Sequence, residues 1–126
     1  MEFLNSKLNI AILESQKSDH KQKIGCVIFN KKKIISKGHN TSLKSTKKLH
    51  PKFQRWPGSV HAEVDAIIKA KKDLKGCDML IVRVNKHNQF RIAKPCETCI
   101  KYIKHVGIHK IYYTITNYPY VIVEKL

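Results

Sequence analysis

The sequence predicts a three-layer α/β/α domain around a five-stranded mixed sheet, and three observations carry that expectation. Helix-like and strand-like segments follow one another in the order helix, two strands, helix, strand, helix, strand, and strands joined through helices become parallel neighbours by right-handed crossovers. The first two strands are separated by a turn alone, which makes them an antiparallel hairpin. Only Asn117-Tyr118-Pro119 separates the last two apolar segments. That is too short for a crossover helix, so the final strand returns antiparallel. A chain of 126 residues is the size of one domain, and residues 1–126 are read as one.

Taken in order, Phe3, Leu4, Leu8, Ala11 and Ile12 recur at three- and four-residue spacing and predict an amphipathic helix ending near Ser18-Asp19. The apolar run Ile24 to Phe29 and the segment Lys33 to His39 predict the hairpin, with Asn30-Lys31-Lys32 as its turn. Residues 41 to 58 are irregular. Lys44, Lys47, Lys48, Lys52 and Arg55 alternate there with His50, Phe53 and Trp56, while Pro51 and Pro57 oppose regular structure. This stretch leads into His61 and is expected to wall the site, with a ring such as Trp56 stacking on a base and a cation meeting phosphate.

Val64, Ile67 and Ile68 predict a second helix headed by His61, closed by Asp73-Leu74-Lys75-Gly76. Cys77 to Asn85 reads as a strand, Lys86 to Phe90 as a turn, and Phe90 to Lys94 as an extended lead into Pro95. A third helix is expected over about 96 to 106, stopped at Gly107. Lys110 to Thr116 is the fourth strand and Tyr120 to Val123 the fifth.

Two short stretches carry the chemistry: His61-Ala62-Glu63 and Pro95-Cys96-Glu97-Thr98-Cys99. An imidazole and two thiolates are soft ligands suited to zinc, and a catalytic zinc keeps three protein ligands and leaves the fourth position to water. Proline is tolerated in a first helical turn, so Cys96 and Cys99 are expected one turn apart on one face, where the helix dipole favours thiolate. Glu63 is too close to His61 to share its helical face, and it is placed to move protons beside the metal.

These residues resemble the zinc-dependent cytidine and deoxycytidylate deaminase superfamily, with its H-x-E and P-C-x-x-C signature. The resemblance spans about residues 1 to 116. It implies a cytidine deaminase-like fold, Zn2+ held by His61, Cys96 and Cys99, and Glu63 as the proton shuttle for water adding to C4 of a cytosine. Asn40, in Gly38-His39-Asn40, matches the position where family members bind the substrate sugar, and with Ala62 and Trp56 it completes the candidate substrate contacts. The implied substrate is a small nucleoside or nucleotide (cytidine, deoxycytidine or dCMP), and family members often form homo-oligomers. An antiparallel last strand fits free-nucleoside cytidine deaminases and departs from deoxycytidylate deaminases, which place a helix there.

Composition bears on the rivals. Of 25 basic residues three are arginine (Arg55, Arg83, Arg91) and the rest lysine, spread from Lys7 to Lys125, for a net charge of +16. Such charge favours polyanions, so a base in tRNA or single-stranded DNA is the second substrate reading. A non-catalytic zinc-stabilised nucleic-acid-binding module is the third, opposed by Glu63, which folding does not need. No eighteen-residue apolar run and no secretory leader are visible, so no membrane association and a cytoplasmic location are expected. Cys26 and Cys77 read as buried free thiols.

Overall fold

The computed structural model describes residues 2–19, 21–41 and 61–126. Trp56, His50, Phe53 and the basic residues of the 41 to 58 stretch lie outside them. The elements are α1 (Glu2–Ser15), β1 (Ile24–Asn30), β2 (Lys33–His39), α2 (Ala62–Ala70), β3 (Asp78–Val84), β4 (Phe90–Arg91), α3 (Glu97–His105), β5 (Lys110–Thr114) and β6 (Val121–Lys125). The strands form one mixed sheet in the order β2-β1-β3-β5-β6, with β4 added beside β3. β3 and β5 are parallel, and every other pairing is antiparallel, including β5 with β6.

The three layers follow from period-two alternation along the strands. Cys26, Ile28, Met79, Ile81, Ile111 and Tyr113 face α2 and α3. Val27, Phe29, Leu80, Val82 and Tyr112 face α1. Two glycines let helix backbone lie directly on the sheet. A Cβ on Gly25 would sit 2.0 Å from Ala11 O, and one on Gly38 would sit 2.4 Å from Ala66 N. Any side chain at Gly38 would therefore push α2, the helix that begins beside His61, off β2.

The structure has six strands where five were expected, with five in the main order. β4 is two residues long, too short for any alternation to register in the sequence. It forms because Asn85 and Asn88 build a local turn: Asn85 Oδ1 accepts from the backbone N–H of His87 and Gln89, at 2.9 and 3.0 Å, and Asn88 takes φ 60°. Asn tolerates that left-handed conformation better than most residues.

α1 also stops three residues earlier than expected. Beyond Ser15, the amides of Gln16, Lys17 and Ser18 bond three residues back, tightening the chain out of α-helical register. Its inward face is not purely apolar either. Lys7 and Glu14 are buried alongside Leu4 and Ala11, with Lys7 Nζ 5.0 Å from the centre of the Phe29 ring.

Candidate metal centre

Two helix starts meet on the α2/α3 side of the sheet. His61 is the N-cap of α2 and Cys96 the N-cap of α3, both with extended backbone and neither capping through its side chain. Pro95 thus stands just before the cap rather than inside the first turn. The expected consequence holds: Cys96 and Cys99 project from one face of the first turn of α3. His61 Nδ1 lies 3.0 Å from Cys99 Sγ and 3.8 Å from Cys96 Sγ, and the three ligand atoms all lie within 4.8 Å of one another.

These separations suit one zinc ion. Tetrahedral Zn–N and Zn–S bonds of about 2.0 and 2.3 Å place neighbouring ligand atoms about 3.5 Å apart, between the two distances seen. Burial pushes the Cys99 thiol far above its ordinary range, with the nearby Glu63 and Cys96 adding to the rise. A thiolate at Cys99 therefore needs a compensating positive charge, which the first-turn amides of α3 supply in part and a dication supplies in full.

Glu63 sits in the first turn of α2, is 4% exposed, and hydrogen-bonds Cys99. Burial raises its carboxyl above the usual range, although its own backbone N–H and the Cys99 contact pull the other way. Ala62 is fully buried among core side chains, leaving its first-turn N–H as the group it can offer a ligand.

Asn40 is engaged elsewhere. Its Oδ1 accepts from Ile24 N at 2.9 Å and its Nδ2 donates to Gln22 O at 2.6 Å, so the side chain staples the entry of β1 to the end of β2. One lone pair and one amide hydrogen remain for a substrate.

A second polar cluster was not foreseen from the sequence. Glu14 of α1, His39 of β2 and Asp65 of α2 bring three ligand-type atoms together beneath the same helix. His39 Nδ1 is 2.7 Å from Glu14 Oε2, and the His39 amide donates to Asp65 Oδ2 at 3.0 Å. Lys17 pairs with Glu14 at 3.1 Å and Lys69 with Asp65 at 2.9 Å. The sequence paired His39 with His50 as a possible second metal site and offered no spaced partner for them; His50 lies outside the described residues.

A mixed sheet with α2 and α3 presenting one imidazole, two thiols and a buried carboxylate at adjoining N-termini offers the donor set of a zinc centre with an acid beside it. Residues 1–115 match the family model of the cytidine and deoxycytidylate deaminase zinc-binding region, and the chain belongs to that family. It is 28% identical over 104 residues, 80% of its length, to an uncharacterized deaminase in the luxG 3′ region of Aliivibrio fischeri; the match spans 64% of that relative.

Among solved structures, it superposes on dCMP deaminase from the cyanophage S-TIM5 with TM-score 0.66 at 24% identity, covering 90% of this chain and 83% of that one. It also superposes on cytidine deaminase from Burkholderia pseudomallei with TM-score 0.64 at 16% identity, covering 95% and 90%. These two likenesses speak to the fold. No described helix is long and apolar enough to cross a membrane.

Proposed function

We propose that the protein is a hydrolytic deaminase that converts a cytosine-bearing nucleoside or nucleotide, namely cytidine, deoxycytidine or dCMP, to its uracil form with release of ammonia. The observation that carries the reading is Glu63, a buried carboxylate held against Cys99 at the edge of the His61, Cys96 and Cys99 cluster. A structural zinc clip would have no use for it. Zinc held by those three side chains would lower the pKa of a bound water to near neutrality.

The remaining steps fall to the chain. Glu63 takes one proton from the attacking water and passes it to ring nitrogen N3, then takes the remaining proton from the hydroxyl now on C4 and delivers it to the amine as the C4–N bond breaks, leaving the C4 carbonyl and ammonia. A carboxyl raised by burial is suited to both directions of transfer, because efficient acid–base groups titrate near the working pH. The first-turn N–H of Ala62 and the free valences of Asn40 hold the base and sugar in this reading, and Trp56 stacks on the base.

Support for the substrate class comes from family membership, and from a dCMP deaminase of the same fold that is known in complex with dCMP and dUMP. Residues 1–126 as one domain, a cytoplasmic location and self-association belong to the same proposal; light scattering reads the last. The test incubates zinc-loaded protein with cytidine, deoxycytidine, dCMP, adenosine and dAMP. Ammonia release from a cytosine substrate that disappears in Glu63→Gln, with zinc retained, is the expected result. Turnover of adenine substrates alone, or turnover that survives Glu63→Gln, overturns the reading.

A further inference from the structure

We propose that the groove between the α1–β1 connection and the β3–β4 hairpin, with the aromatic turn beside it, is a docking surface for single-stranded nucleic acid. The groove has a volume of about 660 Å³ and is lined by Lys21, Lys23, Arg83, Lys86 and Arg91, with no carboxylate among the described residues of its wall. Arg83 and Arg91 are direct cross-strand partners in the β3–β4 ladder. Like charges placed opposite one another destabilise a ladder, and among the described residues no acidic group forms an ion pair with either. Arg91 reaches only Phe90 O and Gln89 Oε1, at 3.3 and 3.4 Å, and Arg83 has no ion pair among the described residues. The arrangement suits an anion supplied from outside.

Arg91 also lines an adjoining pocket of about 410 Å³ together with Phe90 and Tyr120. The Phe90 and Tyr120 rings are 6.1 Å apart, and Tyr118 stands edge-on to Tyr120 at 6.0 Å. Tyr118 is 84% exposed, so the rings form a platform open to solvent rather than a piece of core. Cations that track a backbone beside rings on which bases stack are the two halves of a single-strand site. An anionic membrane would need the cations on an open face, whereas here they line a concavity. A lone nucleotide would fill only one of the two pockets.

Gln22 and Ile24 are tied to Asn40, and the strand carrying Arg91 runs on to Cys96. Docking is nevertheless independent of the deaminase reading, because binding is measured without turnover.

The experiment is fluorescence anisotropy of the zinc-loaded protein with a labelled oligo(dC) of about 15 nucleotides. With about three phosphates neutralised, affinity is expected to fall about 20-fold between about 50 and about 200 mM salt. Arg83→Gln with Arg91→Gln is expected to weaken binding at least about tenfold and Tyr118→Ala about fivefold. Lys72→Gln with Lys75→Gln, which removes the same charge beyond the far end of α2, is expected to leave affinity within about twofold. Tyr118 is exposed and Arg91 lies on a two-residue strand, so Tyr118→Ala and Arg91→Glu alone report on the surface if the double variant melts early.

Equal weakening by the Lys72 and Lys75 pair would reduce the effect to net charge and overturn the proposal. So would insensitivity to Tyr118 and Arg91. Capture of phosphatidylserine vesicles through Tyr118 and Arg91, with oligonucleotide unbound, would overturn it in favour of a membrane surface.

Discussion

Two polar clusters hang from the same short helix, and they differ in charge balance. Each joins one histidine to two groups capable of negative charge: His61 with Cys96 and Cys99, and His39 with Glu14 and Asp65. In the second, Lys17 and Lys69 sit on the two carboxylates and the imidazole bridges toward both. That cluster is neutralised from within and works as a clasp joining α1, β2 and α2. The first has Glu63 and Cys99 buried side by side, and burial drives both toward their protonated forms. Geometry alone admits a cation at either place; charge bookkeeping asks for one only at the first.

The largest expected break in this contrast is Glu63→Gln, which should lower turnover about 1000-fold while zinc content and melting temperature hold, measured by ammonia release beside metal analysis. Chelation comes next. If zinc binds the folded state with free ion about 1000-fold above its dissociation constant, it contributes about 4 kcal/mol, so stripping it should lower the melting temperature by about 15 °C. The same loss in His39→Asn would place the metal at His61 and leave the clasp out of it.

Asp65→Asn should cost about 2 kcal/mol of unfolding free energy by weakening a charged hydrogen-bond acceptor, with zinc stoichiometry unchanged in chemical denaturation and metal assays.

The smallest effect is on pH. Burial pushes the Glu14 carboxyl up, but hydrogen bonds from His39 and Lys17 and their charges outweigh it, so the group stays below its ordinary 4.5 in the folded state. A carboxyl depressed on folding contributes stability above its unfolded pKa and loses it as pH falls through the folded value. The urea midpoint should therefore drop less between about pH 5 and about pH 3 in Glu14→Gln than in the native protein.

The same contrast explains what the sequence could reveal. His61 and Glu63 are two residues apart and Cys96 and Cys99 three, so local spacing carried the metal centre. The direction of β6 was equally legible, because a three-residue connection permits one answer. The clasp was hidden because Glu14 and Asp65 lie 25 and 26 residues from His39 along the chain, and nothing local links them. Lys7 and Glu14 stand outside the apolar pattern of α1, and the groups that meet them in the fold include the Phe29 ring for Lys7 and His39 and Lys17 for Glu14. Asn40 was read as a sugar contact from the resemblance of Gly38-His39-Asn40 to the deaminase family, and its two backbone bonds to Gln22 and Ile24 are visible only once β1 and β2 are paired.

The most direct measurement is an anomalous difference map collected at the zinc edge from crystals of the metal-loaded protein. One peak within about 2.0–2.3 Å of His61 Nδ1, Cys96 Sγ and Cys99 Sγ, with nothing between Glu14 and Asp65, is the predicted result. A vacant cluster at the starts of α2 and α3, or a peak at the clasp in its place, would contradict it.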